Sequence, residues 1–319
     1  VIRHRGAVLS ILFATVAFGI VPSGVARAQV MPDMVSRTAL RVCSDPSNLP
    51  FSNRKREGFE NKIADIVASE LGKPVRYFWA PSGPGFVRNT LNSDLCDIVI
   101  GYTIGSDLVQ STNPYYRSTY AIVALKGSPL NGVDSLDEPK LKGFRLGVFA
   151  ATPPVDVLLA KGLLDHAKVY PLIVDHRFDS PLNTMIDDLK GRTIDAAIVW
   201  GPLISASVKA SGGALVMTPL LKDAGKPDFS YRISFGIRRD EPDWKHKLEG
   251  VIRKRRADID KVLADYNVPL LDNVGHLISS GVDPAQIEPA STGGSGGKSS
   301  SHLPPPGFQM PGPAPITGK

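Results

Sequence analysis

Between residues 40 and 101 the chain alternates short β-rich apolar runs with segments whose apolar residues recur at helical spacing, and this alternation leaves few folds open. The runs fall at 40–44, 75–79 and 97–101, and the helical patterns at 59–72 and 84–94. In the first helix Phe59, Ile63, Ile66, Val67 and Leu71 share one face, and Gly72 stops it. A strand–helix–strand series of this kind closes into a parallel sheet flanked by helices. A second series runs from 145–149 through a helix opened by Thr152 and Pro153, a strand near 169–174, a helix opened by Ser180 and Pro181, and a strand at 195–199. Both openings place a hydroxyl able to cap before a proline suited to the first helical position. A final strand at 231–237 leads into a helix over 242–266, whose apolar face carries Trp244, Leu248, Val251, Ile252, Ile259, Val262, Leu263 and Tyr266. With 319 residues, 42% of them hydrophobic, the chain is long enough for two α/β units around sizeable cores.

The first 28 residues read as a secretory leader. Residues 1–6 carry two arginines, residues 7–20 are uncharged and mostly apolar, and Ala26-Arg27-Ala28 offers a small-residue cleavage site. The apolar stretch is shorter than the roughly 20 residues that a membrane-spanning helix needs. The expectation is a periplasmic protein beginning at Gln29, not membrane-spanning once the leader is removed. In an oxidising compartment Cys43 and Cys96 can pair as a disulfide; the alternative is two small buried residues on neighbouring strands. Two cysteines without clustered histidines make no structural zinc site, so no metal is expected.

Loss of Arg3, Arg5 and Arg27 with the leader lowers the net charge from +6 to about +3, too little and too dispersed for a nucleic-acid binder. The basic run at 253–256 lies in a stretch, 242–266, that holds seven basic and five acidic residues, which fits a solvated surface better than a docking patch. Residues 289–319 contain seven Pro, seven Gly and five Ser, and such a tail is expected to be disordered.

Ligands of open parallel sheets bind beyond the carboxyl ends of the strands. That rule nominates residues 45–51, 80–86 with Arg88 beyond them, 102–106, 150–152 and 200–201, facing one another across a cleft. Asp45, Phe51, Arg88, Tyr102, Thr152 and Trp200 are the candidate ligand- or partner-binding residues. The helix end at Thr152 either receives an anion on its free N–H groups or caps itself; Arg88 either donates to an anion in the cleft or lies on a solvated face. Phe51, Tyr102 and Trp200 either line the cleft or belong to the core. There is no nucleophile elbow, phosphate-cradling glycine loop or paired-histidine metal motif. No catalytic residue and no cofactor are expected.

GFENKIADIVASELGK at 58–73, followed by CDIVIGYTIGSDLVQSTNPYYRSTYAIVALKG at 96–127, resembles the periplasmic solute-binding proteins of the polar amino-acid type. This resemblance, extending over about residues 38–270, implies a type II two-lobed fold, each lobe a parallel-dominated sheet flanked by helices with the cleft between them. Lobe 1 would comprise 36–126 plus 231–285, lobe 2 would be 127–230, and 286–319 would be the tail. Two hallmarks are missing. The Arg that grips a ligand carboxylate in those proteins falls at Leu108, and DAAIVW ends in Trp200 where they carry an acid for the ligand ammonium. An α-amino acid would therefore meet poorly compensated charges. CSDPSNLPFSN (43–53), GFVRNTL (85–91), NPYYRSTY (113–120) and VWGP (199–202) are together similar to a narrower group. These are the solute-binding-like accessory proteins linked to quinoprotein methanol dehydrogenases (MxaJ/XoxJ type). That resemblance implies a non-enzymatic partner of a pyrroloquinoline quinone-dependent methanol dehydrogenase, acting in its assembly or activation, with a small molecule or peptide segment in the cleft. The alternative is a transport receptor for a small solute that is not an amino acid.

Overall fold

The computed structural model describes residues 34–278, except 224, 225, 227 and 228. The proposed leader and tail lie outside these residues. The backbone enters on β1 (Leu40–Ser44), forms a small hairpin from β2 (Ser47–Asn48) and β3 (Ser52–Asn53), and continues through α1 (Phe59–Glu70), β4 (Val75–Trp79), α2 (Phe86–Asn89), β5 (Ile98–Thr103) and β6 (Gln110–Ser111). The ten-residue β7 (Tyr116–Leu125) follows. Next come β8 (Leu146–Phe149), α3 (Pro153–Ala160), β9 (Lys168–Tyr170), α4 (Pro181–Lys190), β10 (Ala196–Trp200), α5 (Gly201–Ala210) and β11 (Leu215–Pro219). The chain then returns through β12 (Ser230–Ile237) to α6 (Pro242–Lys254) and α7 (Arg256–Asp265).

One mixed sheet runs in the order β4-β1-β5-β12-β7-β10-β8-β9, with β6 on β12 and β11 on β7. Each half has a parallel heart, β4-β1-β5 and β10-β8-β9. The two meet at β7, which pairs antiparallel with β12 over residues 116–119 and with β10 and β11 over residues 120–125. This solves a topological problem: β7 is buried along nearly its whole length because it belongs to both halves. Isoleucines, valines and aromatics of both halves pack into one large core. A satellite cluster of Phe86, Val87, Leu91, Val99, Tyr102 and Val109 surrounds the Cys43–Cys96 disulfide, which ties β1 to the approach of β5.

Three expected elements are shorter. The strand near 169–174 ends at Tyr170, because Pro171 has no N–H to continue the ladder. The helix over 84–94 is confined to Phe86–Asn89: Thr90 leaves helical geometry (φ −127°, ψ −79°) and turns its hydroxyl back to the Phe86 carbonyl at 2.7 Å. The helix over 242–266 breaks at Arg255 (φ −105°, ψ 20°) into α6 and α7. Lys254 pairs with Glu70, Arg255 with Glu70 and Asp258, and Arg256 with Asp260, so most of the basic run is already neutralised on the surface of its own fold. Among the described residues no helix is long and apolar enough to cross a membrane.

Candidate functional site

A cleft of about 840 Å³ opens between the β2–β3 hairpin of the first half and the β9–α4 loop, α4 and α5 of the second. Its first wall begins at Asp45. The Asp45 carboxylate accepts hydrogen bonds from the Ser47 N–H (2.8 Å) and the Ser82 N–H (2.6 Å), and its carbonyl accepts from the Ser52 hydroxyl (2.9 Å). These contacts fold residues 46–53 into a hairpin that presents Pro46, Leu49, Pro50 and Asn53 to the cleft. Beneath it Phe51 packs on Phe59 with ring centroids 5.1 Å apart, and Phe59 meets Tyr266 edge-on at 5.7 Å. Tyr266 lines the cleft and donates its hydroxyl to the Glu57 carbonyl, so the end of α7 is joined to the hairpin wall.

The opposite wall is built by prolines and a helix cap. Pro171 ends β9 and releases residues 171–180 as a loop, from which Leu172, His176 and Asp179 reach the cleft. Ser180 caps α4 by accepting from the Asn183 N–H at 3.4 Å, which fixes Leu182 and Asn183 in the wall. Leu203, Ala206, Ser207 and Ala210 line it from one face of α5. The lining is largely proline, aliphatic and small side chains, with the four charges Arg54, Lys55, Glu57 and Asp179, the amides of Asn48, Asn53 and Asn183, and the imidazole of His176. Neither Arg54 nor Lys55 has a carboxylate within ion-pair distance among the described residues; Arg54 lies 5.9 Å over the Trp79 ring. With two cations and two acids, the cleft carries no net bias toward a charged ligand.

The six residues nominated from the sequence divide by position, and none is itself on the cleft lining. Asp45 and Phe51 support the hairpin from behind. The Thr152 hydroxyl donates to the Phe149 carbonyl at 2.7 Å instead of capping α3, and Phe149 is the group that faces the cleft. Two prolines, Pro153 and Pro154, open α3 and remove two of its first N–H donors, which makes this helix end a poor anion seat. Trp200 is fully buried, edge-on to Tyr120 at 5.5 Å and to Tyr231 at 5.6 Å. Tyr102 is buried against Gly236 beside the disulfide cluster, 3.3 Å from the Ser106 hydroxyl. Arg88 is exposed on α2. Leu108 is half-buried and packs its aliphatic side chain against the disulfide cluster.

Of the nominated stretches, 45–51 supplies Pro46 to Pro50 to the lining; sequence reasoning missed residues 53–57, the second wall at 171–183 and 203–210, and Tyr266. The usable signals were Pro171 directly after an apolar run and the i, i+4 pair Ala206 and Ala210 on α5. Close to the hairpin lies a buried carboxyl, Glu60 on the first turn of α1. Burial, followed by the nearby Asp45, raises its pKa well above the ordinary carboxylate value. Gly101 passes directly over it with φ +78°, and any Cβ there would overlap Glu60 Oε1. Among the described residues no group of three or more His, Cys, Asp or Glu side chains could hold a metal ion.

No family model matches the chain. The crystal structure of the periplasmic binding protein XoxJ from Methylobacterium extorquens AM1 is 44% identical, covers 73% of this chain and 99% of its own, and superposes with a TM-score of 0.62. Protein MoxJ of Paracoccus denitrificans is 27% identical over 260 residues, 77% of this chain and 94% of that protein. The crystal structure of MxaJ from Methlophaga aminisulfidivorans MPT shares the fold at 22% identity with a TM-score of 0.63, over 73% of this chain and all of its own.

Proposed function

The chain belongs to the family of periplasmic binding proteins that includes XoxJ and MoxJ, and on that premise we propose that it is a periplasmic accessory protein of a pyrroloquinoline quinone-dependent methanol dehydrogenase. It binds the dehydrogenase and assists its assembly or activation, and is not itself an enzyme. The observation that carries this reading is the 44% identity to XoxJ over 99% of that chain. The cleft supports it in kind: its apolar, charge-balanced walls suit a segment of a protein partner better than a zwitterionic amino acid, since neither amino-acid anchor has a counterpart at Leu108 or Trp200. In this reading the two halves of the sheet are two lobes, 36–126 with 231–285 and 127–230, and the cleft lies between them. Asp45, Phe51 and Thr152 hold the lining residues in place, and Arg88, Tyr102 and Trp200 lie outside the lining.

The test is a titration of the full chain against the dehydrogenase of its own source, at two salt concentrations, with methanol oxidation followed in parallel. Micromolar or tighter association that changes turnover supports the accessory role. Affinity should fall by less than tenfold between low and moderate salt, because residues 254–256 are paired within the fold. No association, with turnover unchanged, overturns it. The largely apolar cleft then favours a second reading, a transport receptor for a small uncharged or aromatic solute. Such a solute would raise the melting temperature by binding the native state alone.

A further inference from the structure

The cleft lies within reach of the chain's own continuation. Tyr266 stands on its wall. The next twelve residues run from there across β7: the Ser118 hydroxyl donates to the Pro269 carbonyl at 2.6 Å, the Leu271 N–H to the Arg117 carbonyl at 2.9 Å, and the Ile278 N–H back to the Leu270 carbonyl at 2.8 Å. After Ile278 the sequence continues for 41 residues. Over 279–302 it is mainly Gly, Ser and other small or polar residues; over 303–316, LPPPGFQMPGPAPI, four large apolar side chains are set among six prolines and there is no charge.

We propose that residues 303–316 are an intramolecular occupant of this cleft. Three observations select them. The first is reach: the 24 intervening residues can span at most about 80 Å, several times the roughly 18 Å radius of gyration expected for a fold of this size. Tethering at that length gives an effective concentration of about a millimolar, so even weak recognition fills the site. The second is charge: the cleft's two cations are matched by two acids, and the segment is neutral. The third is chemistry. A proline-rich segment has fixed φ angles and many carbonyls without matching N–H groups, and it is recognised by aromatic ridges with hydrogen-bond donors between them. The cleft supplies the Tyr266 ring as a ridge and the amides of Asn48 and Asn183 as donors. Occupancy by the tail would make it a competitor for whatever enters the cleft. In the accessory reading the dehydrogenase segment has to displace it.

The test uses the full chain, whose two cysteines are paired, so that Gln309→Cys introduces one free thiol for a nitroxide label. The result expected is selective paramagnetic broadening of the amides of Leu49, Asn53, Leu182 and Ala206. It should be relieved by an excess of an unlabelled peptide of residues 303–316, and reduced severalfold when Leu303, Phe308 and Met310 are all replaced by Ser. Broadening spread evenly over the surface, centred on another face, or indifferent to the serine substitutions overturns the proposal. No dehydrogenase is present in this experiment, so its outcome is separate from that of the association test.

Discussion

Glu60 is the residue whose ionisation the fold resists. Its carboxyl is buried under Gly101 beside Tyr115 and Tyr116, and Oε1 has no hydrogen-bond partner. Because the folded-state pKa is raised, the native state holds a proton that the unfolded state releases above about pH 4.5. Stability from this group is therefore complete below that pH and declines as pH rises toward the raised folded value. Glu60→Gln should remove the decline, and its melting temperature should exceed that of the parent increasingly between pH 5 and pH 8; parallel curves for the two proteins would refute the assignment. The sequence could show Glu60 only as an acid at a helix start, where it reads as a favourable dipole partner. Its burial follows from the close passage of β5, which depends on Gly101 and cannot be read from helix periodicity. Cys43 and Cys96 were more legible: an exported chain with two cysteines invites the pairing that joins β1 to the β5 approach. Replacing both by Ser should lower stability to denaturant by about 4 kcal/mol in the chain-entropy account of a bridge closing 53 residues.

Among the elements, the parallel strands were plain in the sequence as short apolar runs bounded by turn residues, and α1 by its periodic apolar face. β7, β11 and the two short hairpin strands were not. β7 carries near its start Arg117, Ser118 and Thr119, polar residues that read as a loop although Ser118 and Thr119 are buried in the strand. Secondary-structure pattern is also silent about how β12, α6 and β5 are joined. Arg238, just past β12, donates to Glu241 before α6 at 2.8 Å, to Asp97 before β5 at 3.0 Å, and to the Cys96 carbonyl. Asp97 is fully buried and is shared with Arg41 at 2.5 Å, and the Trp244 indole N–H donates to the Asp97 carbonyl at 2.9 Å. Removing the cation from such a site leaves buried acids poorly compensated, which typically costs about 3–5 kcal/mol. Arg238→Met should lose an amount of this order in a urea titration, and Arg238→Met with Glu241→Leu should lose distinctly less. Equal losses in the two would mean that the guanidinium acts by packing and not by charge.

At the scale of the whole molecule the question is what couples the two halves of the sheet across the cleft. Strand β7 and the chain's return from β11 to β12 are two connections, and among the described residues the segment after α7 is a third. It crosses from Tyr266 in the cleft wall to Arg117, whose guanidinium donates to the carbonyls of Asp272 (3.2 Å) and Asn273 (2.7 Å). Its seat on the second half is Gly201, where an added Cβ would fall 2.5 Å from Pro269 and 2.7 Å from the Thr119 carbonyl. One methyl group there tests the coupling. Gly201→Ala has to push residues 268–271 outward or shift the start of α5, and overpacking of this kind costs about 1–3 kcal/mol. If the segment acts as a strap, amide exchange should quicken at Leu271 and Ile278 and at the cleft-lining end of α5, while β1 and β5 keep their protection. Uniform acceleration across both halves would instead mean that the molecule opens as one cooperative body, with the strap no weaker than the sheet that it crosses.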